Sequence, residues 1–315
     1  MMTYPINTRT RMLVLFWVLA SITVDVLYAQ DESALYWSVS RNGEPAGFLL
    51  GTIHSEDPRV LDFTESFAGD LNDNRFFAME IVPDLPTLSE LTQFMQYANG
   101  ITLESKVGAE RYEVLKPLLS RYKIPGDWAA RMKVWAAMMT LSVPPPETGL
   151  FMDFSLSLRA AGAGLKVVGL ETLDQQLSFL EDMSMEQQLA LLDQAMAEQH
   201  KAVEIHAQMV NSYLEGNALV LQAKAGEQLG GLSPETRKYF TEQGIDMRNR
   251  RMLDSLLPLL QQGRVFTAVG ALHLPGKKGL IQLLREEGYE LEPLPLPLIS
   301  AEPGSVQESP RSQRR

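Results

Sequence analysis

The sequence has 315 residues and contains no cysteine. This absence excludes disulfide bonds, thiolate metal sites and cysteine nucleophiles. A bound metal ion therefore needs ligands from histidine, aspartate, glutamate, backbone or water, which suit zinc, manganese, cobalt or iron. Histidine is also scarce, because the whole chain has four, namely His54, His200, His206 and His273.

An excess of basic residues is missing as well. The chain has 28 Lys and Arg against 39 Asp and Glu, which gives a formal net charge of −11. Sequence-independent binding to nucleic acid needs a basic surface, so we expect no nucleic-acid partner. The sequence also lacks the Gly-x-Ser-x-Gly, Walker A and His-Glu-x-x-His motifs, and so gives no indication of the enzyme classes that these motifs mark.

The N-terminus is typical of an export signal. Arg9 and Arg11 precede an apolar stretch over residues 12–24, which has the length of a signal-peptide hydrophobic region and is short for a membrane span. We expect cleavage after Ala29, which makes residues 1–29 a signal peptide. This predicts an exported protein of the bacterial periplasm, with no stable membrane span after cleavage; an uncleaved anchor is the alternative.

The hydrophobic pattern of the remaining chain predicts an α/β fold. Both ends show short apolar strands alternating with helices, while apolar residues over about 87–227 recur mostly at helical spacing. We expect a central mixed sheet from two similar strand-GxxH-helix-strand halves, with a large helical insertion between them. No linker divides residues 30–300, so these are predicted to form one domain, and residues 301–315 a disordered tail.

Apolar spacing also predicts individual elements. Pro58 to Asp70 and Trp128 to Leu141 are each predicted to be helical, and Phe76 to Ile81 is predicted to be a strand. That strand contains one acid, Glu80. A buried carboxylate needs a cation, a metal or a strong donor, so we expect a functional role for Glu80. The alternative is an edge strand from which the carboxylate points to water.

Two of the four histidines follow an apolar strand in a Gly-x-x-His motif, Gly51-Thr52-Ile53-His54 and Gly270-Ala271-Leu272-His273. Glycine allows close backbone approach, and functional side chains of α/β sheets collect in the crevice at the strand ends. If the two strands are neighbours, both imidazoles lie in one crevice, where they can bind a metal or transfer protons. The alternative is that each histidine hydrogen-bonds backbone at a strand end. His200 and His206 are predicted to be surface or structural residues.

Three other side chains are candidates. Glu171 follows a predicted strand and is interpreted as a ligand, an arginine partner or a loop acid. Asp153 precedes a helical stretch, where it is either an N-terminal cap or a functional acid. Arg248 is the main candidate for binding a carboxylate or an oxyanion, because arginine keeps its proton and makes bidentate contacts. Arg250 and Arg251 are predicted to lie on the surface.

These motifs together resemble the TraB/GumN family, which includes the Tiki proteases. The resemblance covers nearly all of residues 34–295. Besides the two Gly-x-x-His motifs, it is carried by Met79-Glu80, Gly169-Leu170-Glu171-Thr172, Gln175-Gln176-Leu177 and Arg248-Asn249. It implies an α/β fold with two related halves around an inserted helical region.

The resemblance to Tiki-type members also implies a metal-dependent peptidase site. Its catalytic roles fall on His54, His273, Glu80 and Arg248, and its peptide or protein substrate is implied by the same kinship. A divalent Mn, Co or Zn ion is expected on His54, His273 and Glu80, with Glu171 as a further candidate ligand. If Glu80 is not a ligand it is the expected general base, and Arg248 is expected to stabilise an oxyanion. The alternative is a non-catalytic exported protein that binds a peptide, haem or another small ligand in the same crevice.

Overall fold

The computed structural model of this chain describes residues 32–301. The predicted signal peptide at residues 1–29 lies outside the described residues, as do residues 302–315 of the predicted tail. No helix within residues 32–301 combines the length and the apolar character that a membrane span requires.

A mixed β-sheet runs through the centre of the described chain. Its strands are β1 (Tyr36–Arg41), β2 (Glu44–Thr52), β3 (Phe76–Met79), β4 (Lys166–Gly169), β5 (Val265–Gly270) and β6 (Glu290–Leu294). Within the described residues they form one six-stranded sheet in the order β4-β3-β5-β2-β1-β6. The strands β4, β3, β5 and β2 are parallel, whereas β1 runs antiparallel to both β2 and β6. The prediction of a mixed sheet built from both ends of the chain is confirmed.

The sheet register brings the carboxyl ends of the parallel strands to one edge. Thr52, the last residue of β2, pairs with Gly270, the last residue of β5. On the other side of β5, Met79 at the end of β3 pairs with Ala268. The residues that follow these strands therefore emerge next to one another, as expected for the crevice of a parallel sheet.

Helices cover both faces of the sheet and form the insertion. They are α1 (Pro58–Leu61), α2 (Glu65–Asn72), α3 (Leu85–Phe94), α4 (Leu103–Val107), α5 (Ala109–Ser120), α6 (Gly126–Ala129), α7 (Val134–Leu141), α8 (Met152–Gly162), α9 (Leu173–Glu181), α10 (Met185–Glu198), α11 (Ala202–Leu214), α12 (Ala218–Gln228), α13 (Pro234–Tyr239), α14 (Met247–Gln262) and α15 (Leu280–Glu286). A π-helix (Phe240–Asp246) leads into α14, and a 3₁₀ turn (Ala271–His273) follows β5. The π-helix is of interest because single π-turns occur frequently at functional sites.

Two apolar layers fix the strands in place. Successive strand residues point to opposite faces, so Leu50 and Phe266 belong to one layer while Leu49 and Val265 belong to the other. The first layer packs against α2, α8 and α11, and the second against α14 and α15. Each large apolar side chain buried in this way stabilises the fold by roughly 1.5–3 kcal/mol compared with the same side chain exposed. This packing holds the strand ends in position. A third apolar cluster lies within the helical insertion and includes Trp135.

Two predicted helical stretches are interrupted in the structure. The stretch from Pro58 to Asp70 is divided into α1 and α2, because Phe63 forms an isolated β-bridge with Leu298. The stretch from Trp128 to Leu141 is divided into α6 and α7, because Met132 forms a similar bridge with Gln96. Both breaks come from pairing with distant parts of the chain, which overrides local helical spacing.

The strand β3 is shorter than predicted. It ends at Met79 rather than at Ile81, so Glu80 stands just beyond the strand instead of within it. The alternative of an edge strand is wrong, because β3 pairs with β4 on one side and β5 on the other. Glu80 therefore lies directly after the carboxyl end of an internal strand of the sheet.

Candidate active site

The two motif glycines make room for the site. A Cβ atom at Gly270 would lie 3.1 Å from Glu80 Oε1 and 3.5 Å from His273 Cδ2. A Cβ atom at Gly51 would lie 2.8 Å from Leu274 Cδ1 and 3.0 Å from Ala271 Cα. Both glycines thus permit close approach of the turn after β5 and of the acid after β3.

The Glu80 carboxylate accepts hydrogen bonds from three directions. The backbone N–H of Gly270 donates to Oε1 at 2.8 Å. Arg248 Nη2 and Gln176 Nε2 donate to Oε2 at 2.6 Å and 2.7 Å. Helices α14 and α9 therefore fix one oxygen of Glu80, while the other oxygen, Oε1, faces the end of β5.

Arg248 joins Glu80 to a second acid. Its Nε and Nη2 atoms donate to both carboxylate oxygens of Glu171, with Nη2 to Oε2 at 2.6 Å. Arg248 and Glu171 are both buried. With both acids ionised, the three side chains carry a net charge of −1. A further cation, Arg251, acts electrostatically on Glu171 and offsets part of this charge.

The ionisation of the two acids differs. Burial raises the pKa of Glu80, but the charges of His273 and Arg248 and the Gly270 N–H outweigh it and lower that pKa to about 2. Burial raises the pKa of Glu171, against the opposing effect of Arg248. Glu80 is therefore a carboxylate at neutral pH and a weak base.

His273 lies beside Glu80 and is buried, with 4% of its surface exposed. Burial lowers its pKa to about 4, so the imidazole is neutral at neutral pH. The positive charge of protonated His273 therefore stabilises the Glu80 carboxylate only in acid. At neutral pH, Arg248 and the Gly270 N–H stabilise the carboxylate. His273 Nε2 is 3.8 Å from Glu80 Oε1, and its Nδ1 is 2.6 Å from Asn249 Oδ1.

His54 lies at the end of the neighbouring strand, in a different setting. Its side chain is 64% exposed, and its Nδ1 is 3.4 Å from Asp153 Oδ2. The ring stacks on Phe151 with the centroids 4.0 Å apart. Asp153 also accepts a hydrogen bond from Thr52 Oγ1. Phe151, rather than Asp153, is the N-cap residue of α8, so the interpretation of Asp153 as a helix cap is wrong.

The structure thus joins four of the predicted site residues directly, namely His273, Glu80, Arg248 and Glu171. His54 is held at the adjacent strand end by Asp153 instead. Within residues 32–301, no three His, Asp or Glu side chains are already gathered around one metal position. The donor chemistry of His273 and Glu80 fits a divalent ion.

Sequence reasoning missed the partners that orient these groups. Gln176 and Asn249 belong to the motifs that carry the family resemblance, but nothing in the sequence shows which atoms they contact. His206, predicted to be a surface or structural residue, is half-buried with Nε2 2.9 Å from Ser55 Oγ. His200 is exposed and has Nδ1 2.9 Å from the Ala197 carbonyl oxygen.

The low pKa of His273 predicts acid sensitivity. An unfolded chain protonates this histidine below the ordinary pKa of 6.5, whereas the folded chain keeps it neutral down to about 4. The unfolded state therefore binds more protons between these values, and the free energy of unfolding must fall as the pH falls from 6.5 to 4.

Urea unfolding across this pH range measures the effect. A His273→Asn variant is expected to show a shallower loss of stability than the unsubstituted chain. An NMR titration in which His273 protonates near its ordinary pKa would contradict this account.

The arrangement of these strands and motifs defines the class of protein. The TraB/PrgY/gumN family model matches residues 35–293, and the chain belongs to this family. The resemblance inferred from the sequence motifs is confirmed.

Among curated proteins, the chain is similar to Metalloprotease TIKI2 of Danio rerio. The two are 24% identical over an alignment 324 residues long, gaps included, which covers 84% of this chain and 62% of that protein. Metalloprotease TIKI2 of Xenopus tropicalis is 24% identical, over 84% of this chain and 61% of its own length. Metalloprotease TIKI1 of Homo sapiens is 23% identical, over 84% of this chain and 63% of its own length. The chain thus spans less than two thirds of the length of these relatives. No solved structure matches it.

Proposed function

We propose that this chain is a metal-dependent hydrolase, specifically a peptidase of the Tiki/TraB type. The observation that carries the proposal is the pair formed by His273 Nε2 and Glu80 Oε1, 3.8 Å apart. At neutral pH both atoms are acceptors, because His273 is neutral and its Nδ1 faces the acceptor Asn249 Oδ1. Two largely buried acceptors that face each other with no proton between them favour a cation there.

The proposed ligands are His273, Glu80 and His54. Neutral imidazole and carboxylate are suitable ligands for Mn, Co or Zn, and the cysteine-free sequence offers no thiolate alternative. His54 must move toward the other two ligands with its Asp153 contact kept, and its exposure leaves room for that movement. A bound divalent ion supplies a water of lowered pKa and polarises a substrate carbonyl.

The remaining site residues act by holding these ligands. Arg248 fixes Glu80 Oε2 and thereby aims Oε1 at His273. Because its guanidinium is committed to Glu80 and Glu171, we assign Arg248 a positioning role instead of oxyanion stabilisation. Glu171 accordingly serves as the arginine partner instead of a metal ligand. The low pKa of Glu80 makes it a poor general base, which favours the ligand role.

The proposed substrate is a peptide or protein, and the proposed location is the bacterial periplasm. The curated relatives are named metalloproteases, which supports the substrate class. The basic and apolar start of the sequence supports export.

Peptide hydrolysis with and without metal tests this function. Purified chain treated with a chelator is expected to leave a mixed peptide library intact, and added Mn²⁺, Co²⁺ or Zn²⁺ is expected to start cleavage. A matched sample of a His54→Ala/His273→Ala variant with the same ions controls for contaminating peptidases. Cleavage that persists in the chelator, or that the double variant retains, would refute the proposal.

A second candidate function is a non-catalytic exported binding protein. Two observations favour it. Arg248 has both Nε and Nη2 bound to carboxylates, and Glu80 is a weak base. Tight peptide binding by the metal-free chain, with no product after metal addition, would select this function over hydrolysis.

A further inference from the structure

An imidazole ligand binds a metal through one nitrogen only, and the hydrogen bond of the other nitrogen decides which one is free. The two Gly-x-x-His histidines place the same nitrogen, Nδ1, against a side-chain oxygen. For His273 that oxygen is Asn249 Oδ1 at 2.6 Å, and for His54 it is Asp153 Oδ2 at 3.4 Å. The two partners come from separate helices, α14 and α8, so the similarity is not a consequence of one local turn.

The orientation of the Asn249 amide is fixed by a second contact. Its Nδ2 donates to the Lys278 carbonyl oxygen at 2.8 Å, which leaves Oδ1 as the group that faces His273. Asn249 is fully buried, so water does not compete for this oxygen. His273 must therefore donate through Nδ1, and its Nε2 carries a lone pair.

The Asp153 carboxylate gives the same result for His54. A carboxylate oxygen accepts hydrogen bonds, so the contact at 3.4 Å favours a proton on the Nδ1 atom that faces Asp153. Thr52 Oγ1 donates to the other oxygen, Oδ1, and holds the carboxylate at the end of β2. His54 Nε2 is left free for a ligand.

His206 shows the opposite arrangement. There the nitrogen in contact is Nε2, which lies 2.9 Å from Ser55 Oγ. His206 is thus an internal contrast within the same part of the fold, because its Nε2 is occupied.

We propose that Asn249 and Asp153 are positioning residues that hold both motif histidines in the Nδ1–H tautomer, which leaves each Nε2 able to bind the divalent ion of the proposed site. This inference rests on the proposed metal site, because the tautomer matters for function only if an ion binds there. The tautomer itself is a property of the metal-free chain and can be measured separately.

Long-range ¹H–¹⁵N NMR of metal-free chain at neutral pH measures the tautomers, and four histidines make assignment tractable. Wild-type His273 is expected to be protonated at Nδ1. In Asn249→Ala it is expected to shift toward the Nε2–H tautomer, whereas Asn249→Asp, which keeps an acceptor, is expected to retain Nδ1–H. An unchanged Nδ1–H tautomer in a folded Asn249→Ala variant would overturn the assignment.

Asp153→Ala provides the matched test for His54, at a partly exposed position where substitution endangers folding less. Unchanged His206 signals report that each variant is folded.

Calorimetric titration with Zn²⁺ is then expected to show about 10–100-fold weaker binding in Asn249→Ala and in Asp153→Ala. Full affinity in both variants would overturn the positioning role. If the wild-type chain shows the expected tautomers but binds no ion, the proposed function fails while the tautomer assignment stands.

Discussion

Replacing Arg248 with methionine is expected to lower the free energy of unfolding by about 3–5 kcal/mol. The guanidinium is the cation that holds two buried carboxylates, those of Glu80 and Glu171, at 2.6 Å each. Methionine keeps much of the side-chain volume but removes the guanidinium that binds both acids. Guanidinium chloride unfolding followed by circular dichroism measures the loss.

Two controls separate the buried charge from general effects of the substitution. Arg250→Met changes the same residue type on the same helix at an exposed position, and is expected to shift stability by less than about 0.5 kcal/mol. Adding Glu171→Gln to Arg248→Met removes one stranded carboxylate and is expected to restore part of the loss. Equal stability of Arg248→Met and Arg250→Met would rule out the buried ion cluster as a source of stability.

Replacing His273 with alanine is expected to lower metal-dependent peptide hydrolysis by more than about 100-fold. Loss of a residue that only orients a ligand costs 10–100-fold in metal affinity or activity, so loss of the ligand itself must cost more. Activity at saturating metal, together with metal affinity from calorimetry, distinguishes a lost ion from a poorly placed one.

His200→Ala is the matched control, because His200 is exposed and its Nδ1 faces only a backbone carbonyl. It is expected to retain full activity. The His273→Ala variant must also be shown to fold, since it leaves Asn249 Oδ1 buried without its partner, at a cost of about 1–3 kcal/mol. A folded His273→Ala chain with normal turnover would eliminate His273 from the site.

The sequence allowed the fold class and the strand-end motifs to be predicted because these depend on local patterns. Apolar runs ending in Gly-x-x-His indicated strand ends, and the structure places those strands side by side, with Thr52 opposite Gly270. The breaks at Phe63 and Met132 could not be predicted, because each is a bridge to a distant segment.

The contacts of the site depend on tertiary packing in the same way. Arg248 and Glu80 are 168 positions apart, and His54 and Asp153 are 99 apart. Charge and residue type showed that Arg248 and Glu80 needed partners, but not that they are partners of each other. The orienting roles of Gln176 and Asn249 were missed for the same reason, since an amide side chain has no periodic or charge signal that reveals its contact.

The central claim is that His54 and His273, at the ends of adjacent strands, bind one divalent ion together. X-ray absorption spectroscopy of Zn²⁺-loaded chain counts the imidazole ligands directly. Two imidazoles are predicted for the wild-type chain and one in each of His54→Ala and His273→Ala. A wild-type chain that binds no stoichiometric ion, or an imidazole count that neither substitution lowers, would contradict the shared site.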